Sequence, residues 1–200
     1  MQRQCLPSFR KLFAMTLCVV FQCALPLFAF SSEKYGNFRD ELISMFRDDQ
    51  AVRNKFNKND PNTLTDMTTI DVRNSSRLKE IIKAIGWPTE AKVGAEASKG
   101  AFFIAQHAAR DLPLMELALS NIEESYKYGE TSGVYYALIY DRVKMLHGES
   151  QKYGTQILRN SASCEAYKLE DADKVDVYRK EIGFKQSLKV YEAEICSRSH

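Results

Sequence analysis

The chain has 200 residues, which is long enough for one ordinary domain with a hydrophobic core of its own. Its 28 basic and 26 acidic residues nearly balance. The basic residues do not form the cluster that binding to nucleic acid or to an anionic membrane surface requires. We therefore expect no nucleic-acid partner, and function classes that depend on a strongly basic surface are excluded.

Residues 1–31 have the layout of a secretory signal peptide. The first eleven residues carry three basic side chains and no acid, an apolar stretch follows, and Ala29 and Ser31 form a small-residue cleavage site. The alternative is an uncleaved signal anchor that tethers the protein to the membrane, because the apolar stretch is long enough to be ambiguous. Cleavage is predicted. It gives an exported protein, periplasmic or secreted, that has no stable membrane span and carries 25 basic against 26 acidic residues, a net charge of −1.

Two of the five cysteines, Cys164 and Cys196, lie outside the predicted signal peptide. A pair of cysteines in an exported chain is a candidate disulfide, although two unpaired thiols fit the same spacing. The sequence contains no C-x-x-C, H-E-x-x-H or other Cys and His cluster with the spacing of metal ligands, so no metal site is predicted.

Residues 33–196 predict a single, mainly α domain of six to seven helices. Apolar residues recur at three- and four-residue steps in several segments, which are separated by a polar break at residues 59–62 and by residues such as Gly86, Pro88 and Gly183. The predicted helices span residues 33–57, 70–85, 96–110, 112–128, 134–147, 171–182 and 186–195.

One departure from helix is predicted, near the sequence YGTQ at residues 153–156. Residues 151–158 and 164–169 flank a polar, turn-prone segment, which is typical of a small β-hairpin. The glycine of YGTQ allows a bulge or the close approach of a ligand, and its other three side chains supply neutral hydrogen-bonding groups. We expect these three side chains to contribute to ligand binding: Tyr153, Thr155 and Gln156.

Two arginines are predicted on apolar helix faces. The inward stripe of the helix at residues 134–147 is defined by Val134, Leu138, Met145 and Leu146. Arg142 lies on the same side of the helix as this stripe, and Asp141 lies at the edge of the stripe. Arg179 has a position equivalent to that of Arg142 in the helix at residues 171–182. Because an unpaired buried charge is costly, these arginines either pair internally with acids or bind an anionic ligand, to which a guanidinium can donate two parallel hydrogen bonds.

His107 and Asp111 lie four residues apart at the end of the helix predicted at residues 96–110. A histidine oriented by a carboxylate is the usual arrangement for a general base, and it is equally the arrangement of a core histidine with no further role. Asp111 also suits the N-cap of the next helix. Gln106 points to another side of the helix and joins a polar pocket if the hairpin covers that side. We take His107, Asp111 and Asp141 as candidate catalytic residues.

Short motifs occur in a fixed order along the chain. They are Asp49-Gln50 with Arg53, Gly86-Trp87-Pro88-Thr89, Gln106-His107 with Asp111, Asp141-Arg142, and Tyr153-Gly154-Thr155-Gln156. In this combination the chain resembles a bacterial domain family of unknown function, over about residues 48–191. The resemblance implies a domain but no activity, cofactor or ligand. It favours one shared site that contains Gln106, His107, Asp141, Arg142, Tyr153, Gln156 and Arg179.

The leading hypothesis for function is an exported pocket protein that binds a small polar or anionic molecule. Its ligand-binding candidates are Gln106, Arg142, Tyr153, Thr155, Gln156 and Arg179. The alternative is a hydrolase in which His107 acts as general base and Asp111 or Asp141 orients it. A third reading is a structural or interaction module whose polar residues form an internal network. The sequence contains no nucleophile elbow and no P-loop, and it indicates no cofactor and no particular oligomeric state.

Overall fold

Eight helices and one two-stranded hairpin make up the part of the chain that the computed structural model describes, residues 34–160 and 163–197. The elements are α1 (Gly36–Asn54), α2 (Pro61–Ile85), α3 (Glu90–Val93), α4 (Ala95–His107), α5 (Leu112–Lys127), α6 (Gly133–Leu146), β1 (Ile157–Arg159), β2 (Cys164–Ala166), α7 (Val175–Ile182) and α8 (Leu188–Ser197). The predicted mainly α fold with one small hairpin is confirmed. The predicted signal peptide at residues 1–31 lies outside the described residues, and no helix within them is both long and apolar enough to cross a membrane.

The core is arranged around α4. This helix contacts α1, α2, α3, α5 and α6, as its apolar composition on nearly every face indicates. Its buried residues are Ala97, Gly100, Ala101, Phe102, Ile104, Ala105 and Gln106. A Cβ at Gly100 would stand 2.9 Å from the Cβ of Phe46 and 3.2 Å from the carbonyl oxygen of Leu42. Glycine at this position therefore allows α4 to pack closely against α1.

α2 begins at Pro61 rather than at the predicted residue 70. Residues 59–62, predicted as a break, contain a helix start. Asp60 caps the helix by accepting a hydrogen bond from the backbone N–H of Asn62 at 3.0 Å, and Pro61 occupies the first turn, where a backbone N–H has no helical partner to lose. The added turns form part of the wall of the cavity at the candidate site.

The buried face of α6 differs from the predicted stripe. Its buried residues are Ala137, Ile139, Asp141 and Val143. The residues predicted to face inward are half-buried, except for Leu146, which is exposed. The reason is that α6 contacts α4, α5 and α7, so that it is enclosed from several directions and burial does not follow a single stripe. Asp141, predicted at the edge of the stripe, is fully buried.

The hairpin is shorter than predicted. β1 and β2 pair antiparallel over three residues each. Residues 151–156 do not extend this ladder, because the side chains of Asp141 and Gln151 accept hydrogen bonds from their backbone N–H groups. A disulfide joins Cys164 of β2 to Cys196 of α8, so that the hairpin is linked covalently to the last helix.

Candidate functional site

Asp49 lies at the centre of the candidate site. It follows Leu42 and Met45 on the buried face of α1, and only 1% of its surface is exposed. The two oxygens of its carboxylate lie 2.9 and 3.1 Å from Nδ1 of His107, and one of them accepts a 3.0 Å hydrogen bond from Nε of Arg53. A carboxylate this deeply buried requires such partners, so Asp49 brings the end of α4 and the end of α1 together.

Asp49 is held in its ionised form. Burial by itself raises the pKa of Asp49, but the hydrogen bonds and charges of His107 and Arg53 outweigh burial, and the pKa lies below its ordinary value. An ionised carboxylate only accepts hydrogen bonds, so Nδ1 of His107 carries a hydrogen and donates it to Asp49. The 2.8 Å approach of Nε of Arg53 to Nδ1 is therefore a contact between two donors that share one acceptor.

Asp71 on α2 is a second acid at this site. Its Oδ1 accepts a hydrogen bond from Nη2 of Arg53, so that one guanidinium joins carboxylates from α1 and α2. Burial raises the pKa of Asp71, and the negative charge of Asp49 adds to this effect, while the charges of Arg53 and His107 oppose it. Within residues 34–160 and 163–197, no group of three or more His, Cys, Asp or Glu side chains is arranged to hold a metal ion.

A cavity of about 540 Å³ lies beside this cluster, between α2 and the segment at residues 107–111. His107 lines it with 23% of its side chain exposed. Nδ1 of His107 is engaged by Asp49, and no residue in the described ranges hydrogen-bonds Nε2. Nε2 is therefore the ring nitrogen that is available to a molecule in the cavity.

Arg142 brings a further positive charge to the same cavity. Its Nε donates to Oε1 of Gln156 and its Nη1 donates to the backbone carbonyl of Gln106 at 3.4 Å. It forms no ion pair with any residue that the structure describes. Burial lowers the pKa of Arg142, and the nearby charge of Arg53 lowers it further, while Tyr191 acts in the opposite direction.

Asp141 does not line the cavity but holds the loop at residues 151–156. The donors to its two oxygens, at 2.9 to 3.2 Å, are the backbone N–H groups of Lys152, Tyr153 and Thr155. Gln151, which is fully buried, closes the loop from inside: its Oε1 accepts from the N–H of Gln156 at 2.8 Å, and its Nε2 donates to the carbonyl of Gln156 at 2.9 Å. The loop therefore has a defined conformation that sets the position of Gln156.

Arg179, Tyr153 and Thr155 also lie outside the cavity lining. Arg179 is fully buried, donates from Nη1 to the backbone carbonyl of Tyr153 at 2.8 Å, and lies 4.3 Å from the ring centre of Phe184. The carbonyl of Thr155 accepts a hydrogen bond from the hydroxyl of Tyr191 at 3.2 Å. These contacts fix the loop against α7 and α8.

Gln156 and Gln106 connect the loop to the cavity through Arg142. Besides accepting from Arg142, Gln156 donates to Oγ1 of Thr155 at 2.8 Å and to the carbonyl of Leu138 at 3.4 Å. The side chain of Gln106 donates to the same carbonyl of Leu138 at 3.4 Å. Neither glutamine lines the cavity: Gln156 contacts the guanidinium of Arg142 with its side chain, and Gln106 contacts it only with its backbone carbonyl.

The comparison with known proteins concerns this same part of the chain. A family model described as a family of unknown function (DUF6624) matches residues 36–193. The chain belongs to this family. The match runs from the first residue of α1 into α8 and so includes every residue of the site. Neither the curated proteins nor the solved structures include a match.

In this DUF6624 chain, Asp49 orients His107, and not Asp111 or Asp141 as the spacing predicts. Asp111 instead caps α5, and its Oδ2 forms an ion pair of 2.6 Å with Nζ of Lys79. Asp141 is occupied by the loop. Asp49 precedes His107 by 58 residues, so an argument from the spacing of residues within one helix cannot identify this pair.

The residues that the sequence-based prediction omits from the DUF6624 site are Asp49, Arg53 and Asp71. Asp49 does carry a signal, because it follows Leu42 and Met45 at helical spacing and so falls on an apolar face, the argument that identifies Arg142. Arg53 is then the natural partner four residues along the same helix. Asp71 carries the same kind of signal, because it lies seven residues before Leu78 and eleven before Ile82, on the buried face of α2.

Proposed function

We propose that this protein binds a small anionic molecule in the cavity beside Asp49 and His107. The cavity lining contains four cationic side chains, Arg53, Lys79, Arg110 and Arg142, and two acidic ones, Asp71 and Asp111. This excess of positive charge in a confined, partly desolvated space favours an anion. The volume of about 540 Å³ is in the range of small-molecule sites.

Arg142 is the observation that carries the proposal. Arg53 already shares its charge with two carboxylates, and Lys79 pairs with Asp111. Among residues 34–160 and 163–197 Arg142 has only neutral acceptors, and it lies close enough to Arg53 for the two charges to repel each other. A carboxylate or phosphate in the cavity supplies the missing negative charge and can accept two hydrogen bonds from the guanidinium.

Export belongs to the same proposal. It is supported by the signal-like pattern of residues 1–31 and by the disulfide between Cys164 and Cys196, because structural disulfides are typical of oxidising compartments. The N-terminal sequence of the mature protein, expected to begin at Ser32, tests it.

We expect Arg142→Met to weaken the binding of inorganic phosphate by about ten- to a hundredfold, the loss that corresponds to one or two hydrogen bonds to a charged group. Isothermal titration calorimetry measures this affinity. The unliganded variant should stay folded. It loses the hydrogen bond to Gln156, but this loss is offset because the replacement also removes a charge that is costly to bury.

Lys144→Met is the matched control, since Lys144 lies two residues further along α6, does not line the cavity and pairs with Glu149. This variant should bind phosphate as the wild type does. Undiminished phosphate binding by the Arg142 variant would contradict the proposal, and its failure to fold would assign Arg142 a structural role instead.

A second candidate function is acid–base catalysis, and the His107–Asp49 pair favours it. With Nδ1 held by Asp49, Nε2 is placed to accept a proton from a water molecule in the cavity. The guanidinium of Arg142 lines the same cavity and can stabilise negative charge that develops on an ester or phosphoester. The reaction class is then hydrolysis of a small anionic ester.

For this candidate, His107→Gln should reduce kcat/KM for p-nitrophenyl phosphate by about a hundredfold, the lower end of the usual contribution of a general base. His147→Gln is the control, because His147 also pairs with a carboxylate, that of Glu116, but on the exposed surface. Equal activity of the His107 variant and the wild type would remove the enzymatic candidate and leave the binding proposal in place.

A further inference from the structure

The cavity has a polar end and an apolar end, and α2 shows where they lie. Two rows of α2 residues, each with a spacing of four and therefore on one helix face, line it: Leu64, Thr68, Val72 and Ser76, and Met67, Asp71, Ser75 and Lys79. No charged residue of α2 lines the cavity before Asp71. The first turns of α2 therefore present it with an apolar surface.

The charged groups cluster at the other end. Arg53 binds Asp71 and Lys79 is itself on α2, and Arg142 lies close enough to Arg53 for their charges to interact, so these three cations lie beside the part of α2 from Asp71 onward. The distance along the helix from Leu64 to Asp71 is about 10 Å, because each residue adds about 1.5 Å. That is room for a short alkyl chain or one ring beside an anionic group.

The apolar side chains at this end are uncovered. Leu64 is 44% exposed, and Val72, which directly follows Asp71 where the two ends meet, is 61% exposed. Exposed apolar side chains that adjoin a charged pocket are typical of ligand-binding grooves. An anion without a tail would leave this surface in contact with water.

We propose that the ligand is a small soluble amphiphile, a carboxylate or phosphate with a short apolar tail. The inference rests on the proposed anion site, which holds the charged group near Arg142. The tail packs on Leu64, Met67 and Val72. Charge complementarity fixes the orientation, since the reverse placement would put the anion on uncharged helix turns and the tail against guanidinium groups.

The test is calorimetric titration of the protein with inorganic phosphate, butyl phosphate and hexyl phosphate. Each methylene that is buried should tighten binding by about fourfold, so butyl phosphate should bind at least tenfold more tightly than inorganic phosphate. Equal affinity for all three probes would overturn the tail while leaving the anion site intact. Equal binding of 1-hexanol and hexyl phosphate, unaffected by Arg142→Met, would instead overturn the anion site.

A double variant and its control locate the tail. Leu64→Ser with Val72→Ser should abolish the gain from the alkyl chain and leave the affinity for inorganic phosphate unchanged. Val177→Ser with Val190→Ser replaces two valines that are 52% and 54% exposed on α7 and α8, outside the cavity lining, and should keep the gain. If the variant with Leu64→Ser and Val72→Ser still bound alkyl phosphates more tightly than inorganic phosphate, the proposed placement of the tail would be overturned.

Sedimentation with phosphatidylcholine vesicles that contain phosphatidic acid separates a free amphiphile from a membrane lipid. We expect no co-sedimentation. Co-sedimentation that the Leu64 and Val72 replacements abolish would overturn the inference of a soluble ligand in favour of a lipid surface.

Discussion

Replacement of Asp49 by Asn is expected to lower the free energy of unfolding by about 3–5 kcal/mol at pH 7, the usual cost of removing one partner from a buried ion pair. The amide cannot supply the negative charge that compensates Arg53, and its N–H₂ group replaces an oxygen that faces N–H donors. Urea denaturation followed by circular dichroism measures the change.

Asp48→Asn is the control for this prediction. Asp48 is the preceding residue on α1, and it pairs with Arg73 on the surface, where such a pair contributes at most about 1 kcal/mol. The Asp48 variant should therefore unfold close to the wild type. If the two variants lose the same stability, the buried cluster does not have the role that its geometry indicates.

The stability loss in the Asp49 variant should also depend on pH, with a sign that follows from its lowered pKa. A carboxyl whose pKa is lower in the folded than in the unfolded state stabilises the fold above its unfolded pKa, near 3.8, and loses this contribution as the pH falls through the folded pKa. The gap in unfolding free energy between wild type and Asp49→Asn should thus persist down to about pH 4 and narrow below it.

Replacement of Asp141 by Asn is expected to destabilise the fold by about 3–5 kcal/mol, because several charge-assisted hydrogen bonds are affected at once. Both carboxylate oxygens accept backbone N–H groups from the loop at residues 151–156, and an amide nitrogen in place of one oxygen leaves buried donors facing each other. Thermal unfolding monitored by circular dichroism, with urea denaturation for the free energy, measures the loss.

Asp176→Asn is the control for the loop. Asp176 also accepts a backbone N–H, that of Leu188 at 2.7 Å, but it is exposed, and this is the only hydrogen bond that it accepts from the residues the structure describes. We expect a loss of about 1 kcal/mol or less for this variant.

The Asp141 variant should also bind phosphate more weakly, because the loop positions Gln156 and thereby Arg142. Normal phosphate binding in a folded Asp141 variant would show that the loop and the cavity are independent.

Several elements of this fold follow from local sequence signals. The apolar composition of α4 predicts its central place, Asp111 with Pro113 predicts the start of α5, and Gly183 predicts the end of α7. The start of α2 is mispredicted because Asp60 and Pro61 are typical both of a break and of a helix N-terminus, and the turns that follow them contain no buried residue whose spacing would reveal the helix.

The candidate site is predictable only in part. Helical spacing identifies Arg142 as a charged residue on an apolar side, and it identifies Asp49 by the same argument once that argument is applied to α1. Spacing does not distinguish the side chains that line the cavity from Asp141 and Arg179, which support a loop, because all of them are polar groups on buried or half-buried surfaces.

By itself the sequence determined the helices and the place of the small hairpin. It also determined that certain charged side chains lie on apolar helix faces, where they need partners within the protein. Only the tertiary structure decided which partners these are. Periodicity measures the direction in which a side chain points from its own helix, whereas the pairing of Asp49 with His107 depends on the packing of two helices that are far apart in the chain. That packing leaves Nε2 of His107 and the guanidinium of Arg142 beside one open cavity.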